Sequence, residues 1–135
     1  MENLARSTDA LVAEPPDAKE FDRLRERAEA RLVDARNANL SLESRFDLAY
    51  GAAHALCTAA IRHAGYRAKK RYIVFQALPH TLGLGPDVWR VLAKCHEVRN
   101  LGEYEGDLNV DNRLFADLLV ACERVSAAVD ALPSI

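Results

Sequence analysis

The sequence is poor in the residues that usually declare a metal centre or a disulfide framework. Its three cysteines, Cys57, Cys95 and Cys122, stand far apart, each inside an apolar helical pattern. Metal sites draw on closely spaced ligand pairs, so no metal and no cofactor is expected, and the thiols read as buried and reduced. An excess of positive charge is missing as well. The formal net charge of −2 argues against duplex DNA as a general partner, while leaving room for a local phosphate site. No apolar run approaches the roughly 20 residues of a membrane-spanning helix, and "MENLARSTDALVAEPP" lacks the pattern of a signal peptide. A cytoplasmic location is therefore expected. There is no internal repeat, no low-complexity tract, no Gly-rich phosphate loop, no His-Glu zinc helix and no Ser-His-Asp arrangement.

What remains is a soluble globular pattern. Half of the 135 residues are apolar and 28% are charged, which suits one domain with a real core. Pro15-Pro16 stops helix propagation and sets off residues 1–16, expected to be flexible or to hold a brief helix at Leu4–Ala13. The bundle is expected over residues 17–135. Asp17 is a natural N-cap for a first long helix, with Phe21, Leu24, Ala28, Leu32 and Ala35 on one stripe and a solvated Arg/Glu face. Ser41 caps a second helix that ends at Gly65. Phe46, Tyr50, Ala53, Cys57, Ala60, Ile61 and Ala64 mark its main face, and Leu48, Ala52, Ala55 and Ala59 make the other side apolar too. A helix apolar on nearly every side belongs at the centre of a bundle. A basic link, Arg67, Lys69, Lys70 and Arg71, leads to a shorter third helix ended by Pro79 and the glycines at 83 and 85. Tyr72–Phe75 has strand propensity, but an isolated strand has no partner. Pro86 opens a fourth helix reaching about Glu105, and a fifth spans Val110–Leu132, with Phe115, Leu118, Leu119, Cys122, Val125 and Val129 inward. The fold class expected is an all-α, up-and-down bundle of four to five helices.

The fourth helix carries an anomaly. At about 100° per residue, Val88, Val91, Leu92, Cys95 and Val98 fall on one side, and Arg99 lands roughly 20° from Val88 among them. A guanidinium there needs an anionic partner, an open cleft or an interface, because an unpaired buried charge costs several kcal/mol, about the scale of a lost core side chain. His96, Arg99, Asn100 and Glu103 follow the i, i+3, i+4, i+7 spacing of one polar seam. Two partners would make Arg99 purely structural: Glu103 one turn on, and Asp47 at the rim of the second helix. Gly102 points the other way, since a glycine inside a helix costs about 1 kcal/mol relative to alanine and marks a close approach, an irregularity or a ligand.

"RNLGEYEG" on the fourth helix, after "SRFDLAYGAAHALCTAAIRHAGYR" on the second, resembles the HEPN domain family over roughly Ala18 to Leu132. That resemblance implies a small helical bundle that dimerises with its motif helices near the shared axis. It also implies a metal-independent ribonuclease motif: an Arg followed by a polar residue, then a His after four to six intervening residues. In the family the Arg steadies a phosphate and the His helps the 2′-hydroxyl attack it. Arg99 and Asn100 match the start of the motif. The His position falls on Tyr104, Glu105 or Gly106, so this chain keeps the anion-binding half and departs on proton transfer. A tyrosine near its ordinary pKa of about 10 is a poor base at neutral pH, although it can hydrogen-bond a phosphate oxygen.

The candidate catalytic residues are accordingly Arg99, His96 as a substitute base one turn earlier, and Tyr104. The candidate binding residues are Arg99, Asn100, Glu103, Tyr104 and Asp47. His54 reads as a satisfied core histidine, and His63 and His80 as surface residues. The resemblance implies a homodimer that binds RNA or nucleotide phosphate with weak or absent nuclease activity. It further implies a toxin–antitoxin or defence setting beside a nucleotidyltransferase partner, with Lys69, Lys70 and Arg71 extending the electrostatic footprint. The alternative is a non-enzymatic helical dimerisation or protein-interaction module, in which Arg99, Asn100 and Glu103 form a polar network.

Overall fold

The computed structural model describes the backbone of residues 1–7, 9–105 and 109–135; the side chains of residues 7 and 103–105 lie outside the described set. The chain runs α1 (Glu2–Ser7), β1 (Leu11–Ala13), α2 (Ala18–Ala35), α3 (Leu42–His63), β2 (Tyr66–Ala68), α4 (Ile73–Gln76), α5 (Leu78–Thr81), α6 (Pro86–Glu105) and α7 (Asn112–Asp130). It is mostly helical, and no helix among the described residues is long and apolar enough to cross a membrane.

The long helices begin where local chemistry starts them. The Asp17 carboxylate accepts the Lys19 N–H at 2.9 Å, Ser41 Oγ accepts that of Ser44 at 3.1 Å, and the Asp111 carboxylate accepts that of Leu114 at 2.7 Å. Each satisfies a donor that the helix itself cannot. Gly65, at φ 90°, turns the chain out of α3 in a conformation that L side chains rarely adopt.

Cross-helix contacts fix the directions. Glu20 meets Arg62, Arg31 meets Gly51 and Arg45 meets Ala35, so α2 and α3 are antiparallel. Tyr50 meets His96 and Asp47 meets Arg99, so α6 runs against α3. Ser126 bonds Glu29 and Arg36 bonds Glu123, so α7 runs against α2. The four long helices therefore form an up-down-up-down bundle with α3 in the middle. Phe46, Ala49, Tyr50, Ala52, Ala53, Leu56, Cys57, Ala60 and Ile61 are all buried along it, as its apolar circumference requires. Its alanines let α2, α6 and α7 approach closely. Ser44, Asp47, Leu48, Gly51, His54 and Thr58 are partly or fully exposed along one side of it, a strip left uncovered.

Two departures from the sequence reading occur outside the long helices. The expected third helix is two single turns, α4 and α5, and a two-stranded antiparallel sheet appears where none was expected. β1 pairs with β2 in the register Leu11↔Ala68, Val12↔Arg67, Ala13↔Tyr66. Strands of three residues are too short to display a period of two, and the partner of each lies more than fifty residues away. The expected helix at Leu4–Ala13 is instead α1 followed by β1. Ala10 and Leu11 are buried in the common core.

Arg62 fastens this segment. It is the one buried charged side chain among the described residues, 2% exposed. Its Nε donates to Glu20 at 2.5 Å, Nη1 to the carbonyls of Glu14 at 3.1 Å and Tyr66 at 3.0 Å, and Nη2 to that of Pro15 at 2.7 Å. The Glu14 carboxylate lies 3.2 Å from Nη2. A planar five-donor fork can hold β1, β2, α2 and α3 together in this way, where a lysine could not.

A cleft walled by three arginines

The uncovered strip of α3 floors a cleft of about 630 Å³. Its charged lining comes from separate elements: Arg31 from α2, Asp47 and His54 from α3, Arg71 from the turn before α4, and Arg99 from α6. Asp47, Gly51 and His54 share one face of α3 by their i, i+4, i+7 spacing. Leu40, Leu48 and Tyr50 add apolar surface.

Arg99 leaves the core at this edge. Val88, Leu92 and Cys95 earlier on α6 are fully buried, whereas the Arg99 side chain retains 25% exposure. Its Nε donates to Asp47 Oδ1 at 3.0 Å, and its Cζ stands 5.1 Å from the centroid of the Tyr50 ring. Tyr50 and Asp47 sit one turn apart on α3, so one supports the guanidinium from below and the other pairs with it. Asp47 is 53% exposed, which makes this an ion pair at the cleft mouth rather than a buried clamp.

His96 is stacked on Tyr50 with both ring nitrogens engaged. Nδ1 lies 2.6 Å from Tyr50 Oη, and Nε2 lies 3.1 Å from Asn100 Nδ2. With the amide so oriented, Asn100 donates to Nε2, and Nδ1–H faces the phenol oxygen. Asn100 thus orients His96 besides following Arg99 in sequence. The side chains of Glu103 and Tyr104 lie outside the described residues; Gly102 is buried within α6.

His54 departs from expectation. Its Nε2 is buried without a hydrogen-bond partner among the described residues, as is Thr58 Oγ1 one turn further along α3. Burial, joined by the positive charges of Arg71, His96, Arg99 and Arg31, pushes its pKa down to about 4. It is therefore uncharged at neutral pH. His63 Nε2 bonds the Pro133 carbonyl at 2.7 Å, and His80 is exposed.

No family model, no curated protein and no solved structure matches this chain. The chemistry of the cleft has to be read from its own residues.

Of the basic link, Arg71 alone lines the cleft. Lys70 pairs with Asp9 at 3.0 Å, and Arg67 with Glu20 at 3.0 Å and with Glu14; both are spent on holding the N-terminal segment. Arg31 was concealed within the charged face of α2. Its Nη1 donates to the Gly51 carbonyl at 3.3 Å, and a Cβ on residue 51 would stand 3.2 Å from that nitrogen. The usable sequence signal was Gly51, a glycine in the middle of an alanine-rich helix. The cysteines offer no alternative nucleophile: burial raises Cys95 and Cys122 to about 12, and Cys57 well above the usual thiol value. Among the described residues, no group of three or more His, Cys, Asp or Glu is arranged to hold a metal ion.

Proposed function

We propose that this protein is a HEPN-like, RNA- or nucleotide-phosphate-binding protein with weak or absent metal-independent ribonuclease activity. The observation that carries the reading is the convergence of Arg31, Arg71 and Arg99 on one cleft, where Asp47 is the single carboxylate among the described lining residues. Guanidinium groups bind phosphate through paired, charge-assisted hydrogen bonds, and neighbouring apolar surface suits a ribose or base.

Weak catalysis follows from the proton-transfer groups. General acid–base help is worth about 10²–10⁴-fold and requires a pKa near the working pH. His54, held near 4, is too weak a base, and the Asn100 amide must leave His96 Nε2 before that nitrogen can accept a proton. The residue in the family's histidine position is Tyr104. Under this reading the protein acts as a homodimer with the α6 helices facing each other, in a toxin–antitoxin or defence setting beside a nucleotidyltransferase. The second reading, a non-enzymatic interaction module, draws on the Arg99–Asp47 pair, which already gives Arg99 an anionic partner.

Fluorescence anisotropy with a labelled single-stranded RNA separates the two. The phosphate reading expects salt-dependent binding that Arg99→Ala weakens about tenfold or more, with little cleavage by the wild type. The interaction reading expects no RNA binding and a looser fold or dimer in the same variant. Robust wild-type cleavage that vanishes in His96→Ala would instead make His96 the base.

A further inference from the structure

Within the phosphate-binding reading, on which this step rests, we propose that Arg31 and Arg71 form a clamp for a phosphomonoester dianion. The ligand chemistry is that of a terminal phosphate, carried by an RNA end or by a free nucleotide, rather than that of an internal phosphodiester.

The assignment begins with charge. Arg99 is met by Asp47. Arg31 and Arg71 have no carboxylate within ion-pair distance among the described residues, whereas Arg25, on the same helix as Arg31, and Arg36, at its C-cap, pair with Asp130 and Glu123. Two uncompensated guanidiniums therefore face one cleft. A phosphomonoester carries about −1.5 to −2 at pH 7, which matches them, while an internal phosphodiester carries one charge and would leave one guanidinium unanswered.

Geometry agrees. Arg31 is anchored by the Gly51 carbonyl, so part of the ordering cost of a long side chain is met before a ligand arrives. A Cβ at residue 51 would stand 3.2 Å from Arg31 Nη1 and push it back by a few tenths of an ångström, and the glycine costs α3 about 1 kcal/mol relative to alanine. The field that would attract a dianion already opposes a proton on His54, where the charges of Arg71, Arg99 and Arg31 all lower its affinity. A volume of about 630 Å³ lies in the range of small-molecule sites, about 300–1,000 Å³, which is enough room for a mononucleotide or the last nucleotide of a strand.

The test compares one RNA oligonucleotide carrying a 5′-phosphate, a 3′-phosphate or no terminal phosphate, together with AMP and adenosine, at fixed ionic strength. A terminal phosphate should improve affinity about tenfold. Arg31→Gln and Arg71→Gln should each abolish that preference while leaving the circular dichroism spectrum unchanged. Tight AMP binding identifies a free nucleotide as sufficient; a preference seen with RNA alone identifies a strand end. Gly51→Ala adds a readout that damage to the fold cannot imitate: Tm should hold or rise as the helix loses its glycine, while the phosphate preference falls as the new methyl displaces Arg31. Equal binding of all three RNAs, still lost in Arg99→Ala, would overturn the clamp and leave the phosphate-binding reading standing. No binding by any phosphorylated probe would overturn both.

Discussion

Replacing Arg62 with alanine should cost about 3–5 kcal/mol of folding stability, the scale for removing one member of a buried ion pair. The cost is not confined to the pair. Glu20 would lose its closest cation, and the carbonyls of Glu14, Pro15 and Tyr66 would lose donors that reach them from inside the domain. An unmet acceptor costs about 1–3 kcal/mol where it is fully buried, and less here, where Pro15 is exposed and Glu14 and Tyr66 are half-buried. For a domain of this size, with total stability of about 5–15 kcal/mol, such a loss threatens the fold. Arg62→Lys should recover only part of it, because one ammonium cannot reach acceptors spread around a planar fork. Denaturant unfolding measures the total, and amide hydrogen exchange locates it. Protection should fall first at the β1–β2 pairing, at the Lys69 amide bonded to Ala10 and at the Glu14 amide bonded to Gly65. A loss below about 1 kcal/mol with β1 still protected would show that the segment is held by its apolar contacts through Ala10 and Leu11.

The long helices were legible in the sequence because their signals are local. Asp17, Ser41 and Pro86 mark starts whose causes lie within a few residues, and the stripe Phe21, Ala28, Leu32, Ala35 repeats at helical spacing. The small sheet was not legible, since each three-residue strand depends on a partner across the chain. The role of Arg62 was hidden for a related reason: it sits on an apolar helix beside His63, and only the folded chain brings Glu14, Pro15 and Glu20 to it. The candidate site divides in the same way. Arg99 is conspicuous because it breaks an apolar stripe on its own helix, and Asp47 was in reach as its partner. Arg31 breaks no pattern, being one of several charges on a face that is mostly solvated, and its significance depends on a glycine of another helix. His54 looked like a core residue with its bonds made; that its Nε2 lacks a partner among the described residues depends on what α2, α4 and α6 place around it.

That nitrogen gives the second large expectation, a loss of stability on acidification that begins above the carboxylate range. An unfolded histidine takes up its proton near pH 6.5, while folded His54 resists until about pH 4. Above pH 6.5 both states are neutral and the group contributes nothing. Between 6.5 and 4 the unfolded state binds the proton and the folded state does not, so acid pulls the equilibrium toward unfolding. The limiting slope for one proton is about 1.4 kcal/mol per pH unit, and the partial exposure of the ring keeps the observed slope below that limit. The carboxylates act later. Glu14 and Glu20 are held below their ordinary value of 4.5 chiefly by hydrogen bonds from Arg67 and Arg62, respectively. Their stabilisation is complete above that value and is lost only as pH falls through their lowered pKa values. A Tm profile of the wild type should therefore decline from about pH 6.5, and His54→Gln should remain flatter down to the point where the glutamates titrate. The charged and titratable groups around His54 are Arg31 on α2, Tyr50 on α3, Arg71 before α4, and His96 and Arg99 on α6, with Asp47 lining the same cleft. A dianion seated between Arg31 and Arg71 would offset much of the positive charge that opposes the proton. Repeating the scan with saturating AMP should accordingly make the decline between pH 6.5 and 4 shallower while leaving its onset in place, because the unfolded histidine sets the onset and the folded state then competes for the proton. Superimposable profiles for wild type and His54→Gln between pH 6.5 and 4 would assign the titration to a different group.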